Sequence, residues 1–282
     1  MVSSDLSNAH SNRTKPEISV VINTLNEEKN IAACIASVKE IASEILVCDM
    51  NSDDHTVEIA RSEGARIMYH LRTGFVEPAR VSAIAEARSE WVLVIDADER
   101  MTNKLADQLL ALAGQEDVDV VEFGKLYNYF GHYPKHGGFY LTDYPGFFRK
   151  NVYLSTVTEN EGMIHQSFRN LQKSAKNIVR LDPEVFMLHE AYPTIEKYAI
   201  KTIGMYSAIE ARERLSRGEQ FSMWVLLLQP LVRFVKIYIF RQGYRDGLAG
   251  FILAVLFCCH LFTMRATMWF LEEQQNGSSE DR

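Results

Sequence analysis

The sequence predicts an α/β fold with a mostly parallel sheet flanked by helices. Three observations carry this: short apolar runs recur from Glu17 onward, each is followed by a stretch of helical spacing, and polar residues stand where the runs end. Ile18-Ser19-Val20-Val21-Ile22 is the predicted first strand, followed by a turn at Asn23-Thr24-Leu25-Asn26 and a helix through Ser37. Glu44 to Asp49 reads as the second strand, and the capping cluster Asn51-Ser52-Asp53-Asp54 starts a helix from Asp54 to Ser62. Arg66 to Tyr69 is a short third strand, and Pro78 to Arg88 a third helix. Trp91-Val92-Leu93-Val94-Ile95 is apolar throughout, as a strand buried on both faces must be, and it ends at Asp96. A helix from Asn103 to Ala113 and a strand from Val118 to Phe123 follow. Beyond them a segment rich in Tyr, Gly, His and Pro runs irregularly to Arg149, a candidate acceptor-binding region because loops over a rigid sheet commonly carry function.

The chain changes character at Phe221. The stretch Phe221 to Phe240 is long enough to span a bilayer, but Pro230, Arg233 and Lys236 interrupt it. On a helix, Gln229, Arg233, Lys236 and Arg241 fall on one side, opposite an aromatic and aliphatic face, the pattern of a helix lying in a membrane interface. Leu248 to Met264 carries no formal charge but is short for a span, so the pair is predicted to be an in-plane or re-entrant anchor. The expected organisation is a polar disordered tail over 1–16, a sheet domain over 17–215, membrane-interface helices over 216–271 and a second tail over 272–282. Residues 1–16 lack the apolar core of a secretory signal, which predicts a place at the cytoplasmic face of the membrane.

Composition narrows the chemistry. With 282 residues, 47% of them hydrophobic, the chain can bury a large core, and its net charge of -7 argues against nucleic acid as a partner. Cys34, Cys48, Cys258 and Cys259 lack a metal-binding spacing and read as reduced. No glycine-rich loop of the dinucleotide or Walker type joins the first strand to the first helix, which disfavours an NAD enzyme or an ATPase.

In an open α/β sheet, ligands bind beyond the carboxyl ends of the strands, and Thr24, Asp49 and Asp96 all stand at such ends. Asp96-Ala97-Asp98 places two carboxylates at alternate positions after a buried strand, where they can meet one hard divalent cation, Mg²⁺ or Mn²⁺, together with a diphosphate.

The run Ser19 to Glu28 with Asn30-Ile31, then Val47 to Thr56, then Asp96-Ala97-Asp98-Glu99, resembles in order and spacing the nucleotide-sugar half of family 2 glycosyltransferases. The resemblance implies a GT-A, Rossmann-like fold, with Asp98 on the metal of the DXD motif and Asp96 facing ribose and diphosphate. It also implies that Asp49 binds the base, that Thr24, Asn26 and Glu27 line the nucleoside pocket, and that Arg80 matches an arginine of the family. Gly137 to Arg149, Ile164-His165-Gln166, Leu188-His189, Tyr198, Tyr206, Pro230 to Phe234 and Gly243 to Gly250 look like the bacterial lipopolysaccharide core glucosyltransferase subgroup. The similarity runs from Glu17 to about Leu271, and it implies a UDP-sugar donor and a glycan or lipid-linked acceptor.

Two departures stand out. The subgroup's Val-His-Glu is Ile164-His165-Gln166 here, and an amide cannot serve as a general base; the first turn has Leu25 where the subgroup often carries Lys. An inverting transfer needs a base within reach of the acceptor hydroxyl, and Asp143, Glu159, Glu161 and His165 are the candidates, with Asp143 in the most family-like segment. His189 is a candidate contact to metal or diphosphate. The main expectation is therefore an inverting, metal-dependent hexosyltransferase, most simply a glucosyltransferase, acting in cell-envelope glycan synthesis. A sugar nucleotidyltransferase and a non-catalytic membrane scaffold are the alternatives.

Overall fold

The computed structural model describes residues 16–72, 77–157 and 166–280. The chain forms two compact units, one from 1–124 with 143–187 and the other from 125–142 with 188–282.

The first unit is the α/β sheet. Its strands are β1 (Ile18–Thr24), β2 (Glu44–Asp49), β3 (Arg66–Tyr69), β4 (Trp91–Asp96), the two-residue β5 (Glu99–Arg100), β6 (Val120–Tyr129), β7 (Tyr140–Arg149), β8 (Ile178–Arg180) and β9 (Phe186–Tyr192). They are ordered β3-β2-β1-β4-β7-β6-β9-β5, with β8 on β6; β6, β7 and β9 each continue into the second unit. β1 pairs in parallel with β2 and β4, β2 with β3 and β6 with β8, whereas β7 lies antiparallel to β4. The mostly parallel sheet is thus the one the apolar runs predict, because such strands are covered on both faces.

Each face has its own core. On one, Ile18, Val20, Ile22, Leu93 and Ile95 pack with helices α1 (Ile31–Val38), α2 (Thr56–Ser62) and α4 (Asn103–Ala113). On the other, Val21, Val92 and Val94 meet α3 (Glu77–Glu86), α5 (Lys150–Leu154) and α6 (Gln166–Ser174) through residues such as Ala83, Ile84, Tyr153 and Phe168. A fully buried Ile, Val or Leu side chain stabilises by about 1.5–3 kcal/mol, so these alternating faces fix the register of the strands.

One expectation needs correction. The segment from Phe123 to Arg149 is not irregular throughout: β6 extends to Tyr129 and β7 occupies Tyr140–Arg149. Packing overrides the Pro and Gly signals here. Phe147 stacks on Trp91 at 4.6 Å, and Gly146 is obligatory because a Cβ there would lie 2.2 Å from the Tyr144 ring.

The second unit is helical and aromatic. It holds α7 (Ile195–Tyr198), a π-helical turn over Ala199–Tyr206, α8 (Ser207–Ser216), α9 (Met223–Val235) extended by a π-helical turn over Lys236–Phe240, and α10 (Gly247–Glu280). Tyr129, Phe130, Phe139, Tyr192 and Tyr198 form its core beside α10, with Tyr129 and Tyr192 stacked at 5.2 Å. Gly243 and Gly250 let the chain turn between α9 and α10, since a Cβ on Gly250 would lie 2.0 Å from the Gly243 carbonyl oxygen. Met223–Phe240 and Gly243–Gln274 are each long and apolar enough to cross a membrane. α10 is far longer than the apolar run at its start predicts, because its later turns bury Met264 and Met268 against α8. The predicted stripe on α9 is also divided. Gln229 accepts a hydrogen bond from Arg265 and Arg233 lies over the Phe257 ring, both on the α10 side, whereas Lys236 and Arg241 are exposed.

Candidate active site

The site is built from three strand ends held level by the sheet register. Asn23 pairs with Asp96 and Thr24 with Asp49, so the turns that follow β1, β2 and β4 start level with one another at one edge of the sheet. This is the crevice side of an open α/β sheet.

The first two turns are tied together by side chains that cap backbone amides. Asn26 N–H donates to Ser52 Oγ at 2.8 Å, Glu27 N–H to Thr56 Oγ1 at 2.8 Å and Glu28 N–H to Asp54 Oδ2 at 3.1 Å. In return the Asp53 amide donates to Asn26 Oδ1 at 2.8 Å. Asn26 and Asn51 adopt left-handed φ values of 56° and 61°, which Asn tolerates better than other residues carrying a Cβ. Asp49 is 1% exposed and receives both the amide and the hydroxyl of Ser52, at 3.0 and 2.6 Å. Burial pushes the Asp54 carboxyl up, but hydrogen bonds from Thr56 and from the amides of Thr56 and Glu28 outweigh it and hold the group below its ordinary range.

The third turn is braced from both sides. Arg80, buried on α3, donates to Asp96 Oδ1 at 3.0 Å and lies over the Phe168 ring at 5.3 Å. The buried Glu99 side chain accepts from the Asp96 amide at 3.0 Å. Arg100 donates to the carbonyls of Ala97 and Glu99 and to Asn30 Oδ1, while the Asn30 amide donates to Glu27 Oε2 at 2.6 Å. Arg100 therefore links the Asp96-Ala97-Asp98 turn to the Glu27 carboxylate. At the end of β1, on opposite faces of the strand, the Asn23 side-chain amide and the Thr24 hydroxyl are buried with no hydrogen-bond partner among the described residues. A buried polar group without a partner costs about 1–3 kcal/mol, which a ligand or water reaching it would recover.

Asp96 and Asp98 remain partly exposed on this turn. Among the described residues no group of three or more His, Cys, Asp or Glu side chains is arranged to hold a metal ion. Two hard oxygen donors, with the remaining positions left to water and substrate phosphates, match how Mg²⁺ is commonly held in phosphate-handling sites.

The structure gathers Thr24, Asn26, Glu27, Asp49, Arg80, Asp96 and Asp98 around these three turns. Asp143 is exposed on β7 in the same unit, and its backbone carbonyl accepts from Gln172 at 3.2 Å. Gln172 also donates to the buried Glu122, which Arg180 pairs at 2.5 Å. His189 belongs to the second unit, its ring 4.9 Å from that of Tyr127. Glu159, Glu161 and His165 lie outside the described residues. Sequence reasoning missed the bracing residues Ser52, Asp54, Thr56, Glu99, Arg100 and Asn30. The one available signal was the Asn51-Ser52-Asp53-Asp54 cluster, read as a helix cap; Asp54 does accept from the Thr56 amide at the start of α2, and Ser52 and Asp54 also cap amides of the neighbouring turn.

A fold neighbour is the mannosyltransferase PcManGT from Pyrobaculum calidifontis, solved with GDP-Man and Mn²⁺; its TM-score is 0.56 at 14% identity, covering 91% of this chain and 88% of that one, so the GT-A fold is shared. The lipopolysaccharide core biosynthesis glycosyltransferase LpsC of Rhizobium meliloti is 27% identical over 273 residues, 90% of this chain and 93% of its own. An uncharacterized glycosyltransferase of Rickettsia typhi is 27% identical over 268 residues, 89% of this chain and 86% of its own. The sequence model for glycosyl transferase family 2 matches residues 19–174, which include all three turns and more than half of the chain. The chain is thus a member of glycosyl transferase family 2.

Proposed function

We propose that the protein is an inverting, metal-dependent hexosyltransferase. It moves a hexose, most simply glucose, from a nucleotide-diphosphate sugar to a saccharide or lipid-linked acceptor of a cell-envelope glycan, at the cytoplasmic face of the membrane. The observation that carries the reading is the register that levels the Thr24, Asp49 and Asp96 strand ends at one edge of the sheet. Family membership and kinship with a lipopolysaccharide core glycosyltransferase support the envelope role.

In this reading the Asn26–Glu28 turn, Thr24 and Asp49 hold the nucleoside, with Asp49 also fixing the Ser52 turn. Asp96, oriented by Arg80, would face the ribose and diphosphate, and Asp98 with Asp96 would hold Mg²⁺ or Mn²⁺. A divalent ion there would supply charge neutralisation for the departing diphosphate. Asp143 is the proposed base. Its carboxylate takes the proton of the acceptor hydroxyl as the new bond to the anomeric carbon forms and the bond to the diphosphate oxygen breaks, a single displacement that inverts the centre. The exposed apolar faces of α9 and α10 support a place at the membrane surface, where a lipid-borne acceptor is confined.

The test is a panel of nucleotide-sugars with and without Mn²⁺, read by thermal stabilisation and by transfer or hydrolysis. A UDP-sugar at a hundred times its Kd should stabilise the protein by about 2.7 kcal/mol. Asp143→Asn should abolish transfer while leaving that stabilisation intact. A chain that takes up no nucleotide-sugar would be a scaffold, and the proposal would fail.

A further inference from the structure

One stretch of the helical unit carries an excess of positive charge, opposite in sign to the chain as a whole. Overall the net charge is -7, yet between Phe221 and Leu271 the formal charges are Arg233, Lys236, Arg241, Arg245 and Arg265 against the single acid Asp246. Elsewhere the arginines are mostly matched: Arg66 pairs with Glu44, Arg72 with Asp53, Arg149 with Glu90 and Arg214 with Glu210, and within the stretch Arg265 pairs with Glu219. Arg233, Lys236, Arg241 and Arg245 differ. Among the described residues none of the four forms an ion pair with a carboxylate: Arg233 lies over Phe257, Arg245 donates to the Gln242 amide oxygen, and Lys236 is exposed. The nearby acid is committed elsewhere, since Asp246 accepts from the backbone amides of Lys135 and His136 and from the His136 ring.

These cations border apolar surface that nothing in the unit covers. Along α9 and its π-helical extension, Leu226 and Ile237 are buried, while Trp224, Leu228, Leu231, Val232 and Ile239 point outward, Trp224 at 73% exposure. On α10 the exposed residues Leu248, Phe251, Val255, Phe262 and Trp269 recur at helical spacing and make a second such stripe. Lys236, Arg241 and Arg245 are exposed in the segment where α9 ends and α10 begins, which also holds Phe240 and Leu248, 77% and 73% exposed. A surface that joins exposed hydrocarbon to unneutralised cations, on an otherwise acidic protein, complements hydrocarbon bordered by phosphate.

Resting on the membrane-surface reading above, we infer that this end of the helical unit docks on the headgroups of anionic phospholipids. Lys236, Arg241 and Arg245 lie at phosphate level there, and the outward faces of α9 and α10 enter the acyl layer. Each Lys or Arg near an anionic leaflet contributes about 1 kcal/mol, or about fivefold in partition. The net negative charge of the whole chain would repel the same leaflet, so the local cations decide the orientation of approach.

The experiment is cosedimentation of the full-length protein with vesicles of phosphatidylcholine alone or with about one-third phosphatidylglycerol, a composition whose surface potential is strongly negative. The wild-type protein is expected to prefer the anionic vesicles, with the preference falling as salt rises. The double variant Lys236→Gln, Arg245→Gln should lose about 25-fold on anionic vesicles and keep its partition to neutral ones. The pair Lys236→Arg, Arg245→Lys should behave as wild type. Equal binding to both vesicle types, or an unchanged double variant, would overturn the inference while leaving insertion of the apolar faces in place. Release by inorganic phosphate beyond that by chloride of equal ionic strength would also overturn it, in favour of a free-phosphate site. Absence of binding to either vesicle would sink the membrane-surface reading as well, whereas nucleotide-sugar stabilisation reads the donor site independently of all these outcomes.

Discussion

Thr56→Val tests whether the first two turns act as one unit. Thr56 is completely buried; its Oγ1 accepts from the Glu27 amide at 2.8 Å and donates to Asp54 Oδ1. Valine preserves the shape but leaves that amide without its acceptor, which costs about 1–3 kcal/mol. Taking the middle of that range, the first unit should melt about 4–8 °C lower, at about 2–4 °C per kcal/mol for a domain of this size. The turn from Asn26 to Glu28 would also be less ordered before the nucleotide arrives, and re-ordering one residue costs about 1 kcal/mol, so nucleotide-sugar affinity should fall about fivefold. Thr56→Ser keeps the hydroxyl and should retain both properties. The sign with pH follows from Asp54: its carboxyl is held below its ordinary range, so the stabilisation it gives is present above its ordinary pKa of 3.8 and lost as pH falls through the lowered value. The gap between wild type and Thr56→Val should therefore narrow in acid. Differential scanning calorimetry with near-ultraviolet circular dichroism reads the melting, and titration calorimetry the affinity. A Thr56→Val protein as stable as wild type, or a Thr56→Ser protein as damaged as the valine variant, would refute the reasoning.

Two further predictions follow from the second unit. The hydrogen bond to His260, opposed by burial and aided by Arg214, pulls the Glu210 carboxyl from 4.5 to about 2, and contact with Arg265 lowers Glu219 as well. Both are depressed acids, so their stabilisation is complete above about pH 4.5 and drains away as pH falls toward 2; Glu210→Gln should flatten that dependence in acid unfolding followed by circular dichroism, and an unaltered profile would contradict it. Cys259 is exposed on α10, whereas Cys34 and Cys48 are buried and burial pushes both thiols up. Maleimide should modify Cys259 while sparing Cys34 and Cys48 in the free protein, and vesicles should protect Cys259; equal labelling with and without vesicles would argue against burial of the α10 face.

What could be read from the sequence follows the range of the forces involved. β1, β2, β4 and α4 are visible because long apolar runs and helical spacing report local burial, and their ends bring Thr24, Asp49 and Asp96 to one edge with little further information. β7 is hidden: it contains Pro145 and Gly146, and its strand character depends on Phe147 stacking on Trp91, more than fifty residues earlier. The braces around the site are hidden for a related reason. A Ser52 or Asp54 after a strand looks the same whether or not it also caps the amides of another turn, and only the parallel pairing of β1 with β2 brings the Asn26–Glu28 amides within reach. The exposed apolar faces were half legible. Periodicity identified an amphipathic α9, but which of its faces turns toward α10 follows from the Gln229–Arg265 and Arg233–Phe257 contacts.

The proposed hold of the Asp96-Ala97-Asp98 turn on a divalent ion and the donor diphosphate can be measured by titration calorimetry of the best-binding nucleotide-sugar into wild-type protein and Asp98→Ala, each with Mn²⁺ and with chelator. Binding by the wild type should weaken at least about tenfold in chelator, equivalent to about 1.4 kcal/mol, and Asp98→Ala should bind weakly and equally in both conditions. Wild-type affinity indifferent to metal, or an Asp98→Ala protein that keeps the metal-dependent affinity, would contradict it.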